Sequence, residues 1–294
     1  MFNIIRDIIF LKVIFVIDII IPVYNTPIDD LERCLNSILI QTYNNYLVYI
    51  IDDGSNIETK TFLDNYATGK NNFIVKHIEN GGVSNARNYG IEISNSKYLA
   101  FVDADDTLEK DFLKEAYEII EENNLDLIIG GYNEIVNNEI RKVRLSMPGI
   151  HIYEGENINN FFEKLLSSKT NEYNKEIGDC PTGRIYTRLF KRDSLGNLKF
   201  DTNIHMSEDT LFMIDYTINA NKIGIVDKVW YNYYINEYSI SNATKKDKLI
   251  NNIEGFISEI VKRRDMETNI IIKSAYNERI QKANNYIEKI KKYL

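Results

Sequence analysis

Three apolar runs rich in β-branched and aromatic residues each stop abruptly at polar side chains, and helical spacings separate them. Ile17 to Val23 (IDIIIPV) ends at Tyr24-Asn25, Tyr46 to Ile51 ends at Asp52-Asp53-Gly54-Ser55, and Tyr98 to Val102 ends at Asp103-Ala104-Asp105-Asp106. Continuous runs of this kind read as strands buried on both faces, as in parallel sheets. Leu31, Cys34, Leu35, Ile38 and Leu39 repeat at helical spacing after a Thr26-Pro27 start signal. Further helices are expected over Thr59 to Tyr66, after Gly81-Gly82, and over Lys110 to Glu121, with strands at Phe73 to Ile78 and Leu125 to Ile129. Strands alternating with helices predict an α/β fold, a mainly parallel open sheet with helices on both faces. Ligands of such sheets bind beyond the carboxyl ends of the strands. Three polar strand ends on one edge therefore predict a nucleotide-type pocket.

The Asp103–Asp106 cluster narrows the chemistry. Packed carboxylates repel one another, and burying them unpaired costs several kcal/mol, so they hold a cation or face water. Mg²⁺ or Mn²⁺, hard ions taking oxygen ligands, are the fitting occupants; a solvated turn capping the next helix is the alternative. A calcium EF-hand is excluded, since Leu108 stands where that loop needs glycine and Lys114 where it needs a bidentate Glu. Gly81-Gly82 does not make a dinucleotide fingerprint, because PVYNTP holds the place after the first strand and contains no glycine. No P-loop pattern occurs either.

Composition sets outer limits. A chain of 294 residues with 44% hydrophobic and 27% charged residues can build a large soluble core. The net charge of -8 argues against broad nucleic-acid binding. Cys34 is expected in the core, and neither it nor Cys180 has metal-site spacing. Met1 to Ile21 is very apolar, but Arg6, Asp7, Lys12 and Asp18 interrupt it, so neither a spanning helix nor a signal peptide is expected.

Downstream, Tyr132 to Ile152 reads as strand-rich around an Asn137-Asn138 turn, and Asn157 to Ser167 as helical. Ser207-Glu208-Asp209-Thr210 opens a helix, where acidic residues by default face the helix dipole. A strand is expected over Ile223 to Val226, followed by an unusually aromatic loop, Trp230 to Ser241. From Thr244 onward a lysine-rich helical extension carries two apolar stripes, Leu249–Ile260 and Ile280–Ile290. Packing on the main domain, on a second subunit or on an anionic membrane surface are the alternatives it leaves open.

Taken in order, IIIPVYN with QTY, IIDDGS, NGGVSNARNYGI, YLAFVDADD, and SEDTLF followed by WYNYY resemble glycosyltransferase family 2 enzymes of the GT-A fold. The resemblance spans roughly residues 17–241. It divides the chain into an apolar extension at 1–16, a GT-A domain at 17–241 (nucleotide half 17–106, acceptor half 107–241), and a helical extension at 242–294. It implies a Rossmann-like sheet and an inverting transfer from a UDP-sugar to a glycan or lipid-linked saccharide acceptor, in capsule, exopolysaccharide or cell-wall synthesis. By resemblance, Tyr24 would pack against the base, Pro22 and Asn25 would belong to the nucleotide site, and Asp53, helped by Asp52, would hydrogen-bond the base. Arg87 would reach the base or diphosphate with Asn88 in support, Asp103 would contact the ribose, and Ala104 would belong to the nucleotide site. Asp105, with Asp103, would hold Mn²⁺ or Mg²⁺; Asp209 would be the catalytic base and Glu208 would orient the acceptor.

One departure stands out. Family members often carry arginine in a Y-x-x-R-x-x-S-I pattern after the aromatic segment, where YINEYSIS has Asn236. Arg184, Arg188 or Lys191 are the replacements considered. A non-catalytic nucleotide-sugar-binding or scaffold subunit is the alternative that Asn236 favours. The expected location is cytoplasmic, with peripheral contact at the inner membrane face through the termini and homo-oligomerisation left open.

Overall fold

A computed structural model describes residues 15–144, 148–166, 183–235 and 246–293. The residues of the amino-terminal extension before Phe15, together with Cys180 and Asn236, lie outside the described residues.

The strands are β1 (Ile17–Val23), β2 (Tyr46–Asp53), β3 (Phe73–Ile78), β4 (Tyr98–Phe101), β5 (Thr107–Leu108), β6 (Leu127–Val136), β7 (Glu139–Arg144), β8 (Ile150–Glu154), β9 (Arg188–Lys191) and β10 (Lys222–Tyr234). The helices are α1 (Ile28–Leu39), α2 (Ile57–Ala67), α3 (Val83–Ile93), α4 (Phe112–Glu122), α5 (Ile158–Leu166), α6 (Arg192–Leu195), α7 (Glu208–Asn219), α8 (Lys246–Met266) and α9 (Ile270–Tyr293). All these strands join one sheet, ordered β3-β2-β1-β4-β9-β6-β10-β5, with β7 beside β6 and β8 beside β10.

The first four strands in that order are parallel. The other half is mixed, because β9 enters antiparallel to both β4 and β6, while β6 and β10 run parallel. Pairing direction depends on partners far along the chain, so the all-parallel character of the first half does not extend across the sheet. Strand order reverses between β1 and β4, and their carboxyl ends form the crevice where ligands of open sheets bind. Pro22 lies past Ile20, the last β1 residue that β4 pairs with, at the exposed end of the ladder. Asp18, a charge inside an otherwise apolar strand, is fully buried but accepts from Asn95 N, Ser96 N and Ser96 Oγ at 2.6–2.8 Å and pairs with Arg192. Those donors replace the water it loses.

Two elements differ from the sequence reading. The strand expected to stop at Val226 runs to Tyr234, so the aromatic segment is sheet as far as Tyr234, with Trp230 and Tyr231 fully buried. Register shifts between Ile225 and Val229 and between Val229 and Tyr231 break the alternation that would have announced it. Its neighbour β6 runs through Gly130, which looks like a break in sequence. A Cβ at Gly130 would stand 2.2 Å from the Trp230 ring, so glycine here is what admits the indole. The Asn137-Asn138 turn is present, with φ of 51° and 63°, the left-handed pair a tight hairpin needs.

The two carboxy-terminal helices belong to the main body. Phe256 and Ile260 of α8 and Ile272, Ala275 and Tyr276 of α9 join the core containing Phe101, Leu127, Phe212 and Ile223. Of the other stripe residues, Ile253, Ile287 and Ile290 form a small cluster with Leu249, Ile257, Ala283 and Met206 against it, and Ile280 packs on the main core. Arg263 clamps Asp215 of α7 through contacts of 2.8 and 2.6 Å. Among the described residues no helix is long and apolar enough to cross a membrane.

Candidate active site

β1, β2 and β4 deliver Tyr24-Asn25, Asp52-Asp53 and Asp103–Asp106 to the same edge of the sheet. The Tyr24 ring is 54% exposed, free to lie against a planar group. Asn25 ties this strand end to the next loop, its Oδ1 accepting from Asn56 N at 2.8 Å while its own N–H donates to Ser55 Oγ. Asp53 accepts from Gly81 N and Gly82 N, both at 2.8 Å, and so shapes the loop that opens α3. Asp52 accepts from Ser55 N and meets His77 Nδ1 at 2.7 Å; against its burial, Asp52 and Asp64, the latter 3.2 Å from Nε2, lift the His77 pKa. Both aspartates are thus engaged with the protein's own donors, though a carboxylate has about four acceptor sites and keeps room for a ligand.

Arg87 on α3 is the centre of the arrangement. One guanidinium nitrogen donates to Asp103 Oδ1 at 2.9 Å and the other to Glu208 Oε1 at 3.0 Å. Sixteen residues separate Arg87 from Asp103, and 121 separate it from Glu208. It therefore joins the end of β4 to the start of α7. Burial disfavours its charge, but the carboxylates of Asp103, Glu208 and Asp209 outweigh that and raise its pKa. Asn88 exchanges two hydrogen bonds with the Phe200 backbone, fixing the ring beside the Arg87 guanidinium.

The acidic turn after β4 divides its labour. Asp106 is fully buried, accepting from Tyr231 Oη and Tyr234 N, each at 2.8 Å. Tyr231 Oη also receives Asp103 N at 3.1 Å, so β10 braces both sides of the turn. Ala104 is buried, leaving Asp103 and Asp105 as the partly exposed carboxylates. Burial and the nearby Asp103 push Asp105 up to about 6. Arg33 of α1, stacked 3.9 Å from the Tyr234 ring centroid, holds the Asp105 carbonyl at 2.7 Å. Neither Asp106 nor Arg33 was singled out for a role by sequence; Asp106 was visible only as one more acid, and Arg33 carries no local signal.

No group of three His, Cys, Asp or Glu ligands converges among the described residues. Two adjacent hard-oxygen carboxylates still fit a Mg²⁺ or Mn²⁺ shared with a substrate's phosphates, since Mg²⁺ is usually held by one or two carboxylates plus phosphates and water.

At α7, Ser207 sits in the left-handed region at φ 64°, an uncommon backbone for serine that turns the chain into Glu208-Asp209. Asp209 is pushed up to about 6, first by burial and then by Glu208, against the lowering charges of Arg87 and Arg184. A carboxylate tuned toward neutrality suits proton abstraction. Arg188 and Lys191 have structural duties, at the Tyr186 carbonyl and at Asp126. Arg184 instead lies against the rings of Tyr186, Tyr233 and Tyr132, 5.2–6.0 Å from their centroids.

A mixed sheet with its acidic edge facing the start of α7 is the architecture of the GT-A nucleotide-sugar transferases. Residues 18–199 match the family model described as glycosyl transferase family 2. The chain belongs to glycosyltransferase family 2. It is 26% identical over 227 residues to the glycosyltransferase GlyA of Streptococcus pneumoniae, covering 77% of this chain and 32% of GlyA. Over 244 residues it is 30% identical to the poly(ribitol-phosphate) beta-N-acetylglucosaminyltransferase TarP of Staphylococcus aureus, covering 80% of this chain and 68% of TarP. The structure of S. aureus TarS 1-349 in complex with UDP-GlcNAc matches with a TM-score of 0.69 at 19% identity, over 92% of this chain and 72% of that one. The chain spans about a third of the length of GlyA and GlyG, with 32% and 38% covered.

Proposed function

We propose that the chain is a metal-dependent, inverting glycosyltransferase that moves a sugar from a UDP-sugar to a hydroxyl of a cell-surface glycan or polyol-phosphate polymer. The observation that carries this reading is the Arg87 bridge, which places Asp103 beside the metal-side turn and Glu208 beside the candidate base around one guanidinium. The relatives support the substrate class: TarP is named for poly(ribitol-phosphate) and N-acetylglucosamine, and the TarS complex contains UDP-GlcNAc.

Asp209 takes the acceptor hydroxyl's proton as that oxygen bonds to the anomeric carbon. The bond from that carbon to the donor's phosphate oxygen breaks, and its electron pair leaves with UDP. A cation at Asp105 and Asp103, when bound, offsets the charge gathering on the diphosphate. Attack opposite the leaving group inverts the anomeric centre in one displacement. Glu208, held by Arg87, stands ready to orient the acceptor. Tyr24 offers its open face to uracil.

The test is UDP release over a panel of UDP-sugars with Mn²⁺, comparing wild type with Asp209→Asn. Loss of transfer with UDP binding retained is expected. Equal turnover in both proteins removes Asp209 as base.

A further inference from the structure

We infer that His77 is a positioning residue of the nucleotide site. Its imidazolium neutralises the buried Asp52 and so fixes the turn beside Tyr24, which makes nucleotide affinity depend on the protonation of this ring. This deepens the proposed transferase reading and rests on it for the identity of the ligand beside Tyr24.

His77 lies on β3, at one end of the sheet order, where β2 pairs with it and α2 packs on it. Each of these neighbours presents one carboxylate to the ring. Asp52 Oδ2 of β2 lies 2.7 Å from Nδ1, and Asp64 Oδ1 of α2 lies 3.2 Å from Nε2. A neutral imidazole has one N–H and one lone pair, so it satisfies one carboxylate and turns its lone pair on the other. The charged ring donates to both. Burial disfavours that charge, but the two carboxylates outweigh it and raise the His77 pKa. The partners differ in what else is open to them. The Asp64 side chain is 66% exposed and has water, whereas that of Asp52 is fully buried. Among the described residues no lysine or arginine lies within ion-pair distance of Asp52, which makes His77 its counter-ion.

Asp52 passes the effect of that charge to the site. Its Oδ1 accepts from Ser55 N at 2.9 Å, closing the turn over Gly54. Ser55 Oγ accepts from Asn25 N at 2.9 Å, and Asn25 Oδ1 accepts from the backbone N–H of Asn56, the residue that caps α2. Both carboxylates around His77 therefore lead back to Asn25, one through the turn and one through α2. The turn also bears on the loop that opens α3. A Cβ at Gly54 would stand 2.9 Å from Asn80 N, and Asn80 Nδ2 donates to the Asp53 carbonyl at 2.8 Å. Deprotonating His77 leaves a buried carboxylate without a counter-ion at the root of this network, a costly state that loosening of the turn relieves. Tyr24 and Asp53 stand on the two strand ends that the turn joins, so base contacts weaken with it.

The test follows the nucleotide and the ring separately. UDP with Mg²⁺ is titrated into the full chain from about pH 6 to about pH 9, in wild type, His77→Gln and Asp64→Asn. Ionisation of UDP itself is common to all three proteins, so the ratio of wild type to His77→Gln reads the ring alone. That ratio is expected to fall by about fivefold or more as pH rises through the His77 pKa. Asp64→Asn takes one carboxylate from the ring and should move the fall to lower pH. The chain has three histidines, and the His77 ring resonance is assigned by its absence from the glutamine variant. It should titrate above the ordinary histidine value of about 6.5, with the Ser55 and Asn25 amides moving at the same midpoint. Bound UDP should raise that midpoint by reciprocity. A ratio that does not change with pH overturns the proposal, as do Ser55 and Asn25 amides that ignore the His77 midpoint. If His77→Gln does not fold, the displaced midpoint of Asp64→Asn against wild type carries the comparison. UDP that binds at no pH, with the amide titration intact, counts against the transferase reading and leaves the hold of His77 on the turn standing.

Discussion

Asp209 illustrates how one residue's surroundings set both its chemistry and its cost. Glu208 beside it raises its pKa, Arg87, Arg184 and Arg279 counter with positive charge, and burial adds the largest push, to about 6. Transfer should therefore fall as pH drops through about 6, where the base becomes protonated, which a pH–rate profile of kcat/KM on saturating Mn²⁺ would show. The stability sign follows from the same shift. A carboxyl whose folded pKa lies above its unfolded value favours folding while protonated, and loses that contribution as pH rises through the folded pKa. Asp209→Asn should thus be more stable than wild type near neutral pH, by about 1 kcal/mol after allowing for its partial exposure, with the gap shrinking as pH falls below about 6 and closing toward about pH 4. A variant that is inactive and no more stable at neutral pH would show that the carboxylate is not strained in place. Arg87 carries the opposite burden. Arg87→Met strands Asp103 and Glu208 and should cost about 3 kcal/mol or more in urea unfolding, together with nearly all transfer.

At the scale of elements, β10 connects the aromatic segment to the chemistry. Tyr231 Oη donates to Asp106 and accepts from Asp103 N, so the rim of the metal-side turn is set by a strand 125 residues away. Tyr231→Phe removes both contacts at once and leaves a buried carboxylate short of a donor. It should cost about 1–3 kcal/mol, read by chemical denaturation, and raise the Mn²⁺ concentration needed for half-maximal UDP binding. An unchanged Mn²⁺ requirement would mean that Asp103 and Asp105 hold their positions without β10. This dependence explains what the sequence showed and what it hid. The DADD turn was legible because carboxylates clustered after an apolar run have few reasons to exist. The rest of the site was hidden because it is assembled across the sheet: Arg33 acts through a backbone carbonyl, and Arg87 meets Glu208 only after the β9 crossover is complete. The course of β10 was hidden too, since its irregular register erases the period-two signal and Gly130 mimics a strand break.

At the scale of the molecule, the question is whether the carboxy-terminal helices are an appendage or part of the folding unit. Residue composition alone changes at Thr244, and a lysine-rich amphipathic pair could serve a membrane as well as a core. The packing shows the core role directly. Phe256 and Tyr276 insert into the cluster that includes Leu127 of β6 and Phe212 of α7, and Arg263 fastens α8 to α7 through Asp215. Tyr276 is nearly fully buried and meets Phe162 edge-on at 5.7 Å. Helices sharing a core with a sheet should melt with it, because removing them uncovers apolar surface on α5 and α7 that water must then face. Tyr276→Ala should accordingly lower the stability of the whole chain by about 3–5 kcal/mol. The loss should appear as one cooperative calorimetric transition moved to lower temperature, with UDP binding lost at that same temperature. Two resolved transitions, the upper one unshifted and still able to bind UDP, would make α8 and α9 a separate unit resting on a sheet that does not need them.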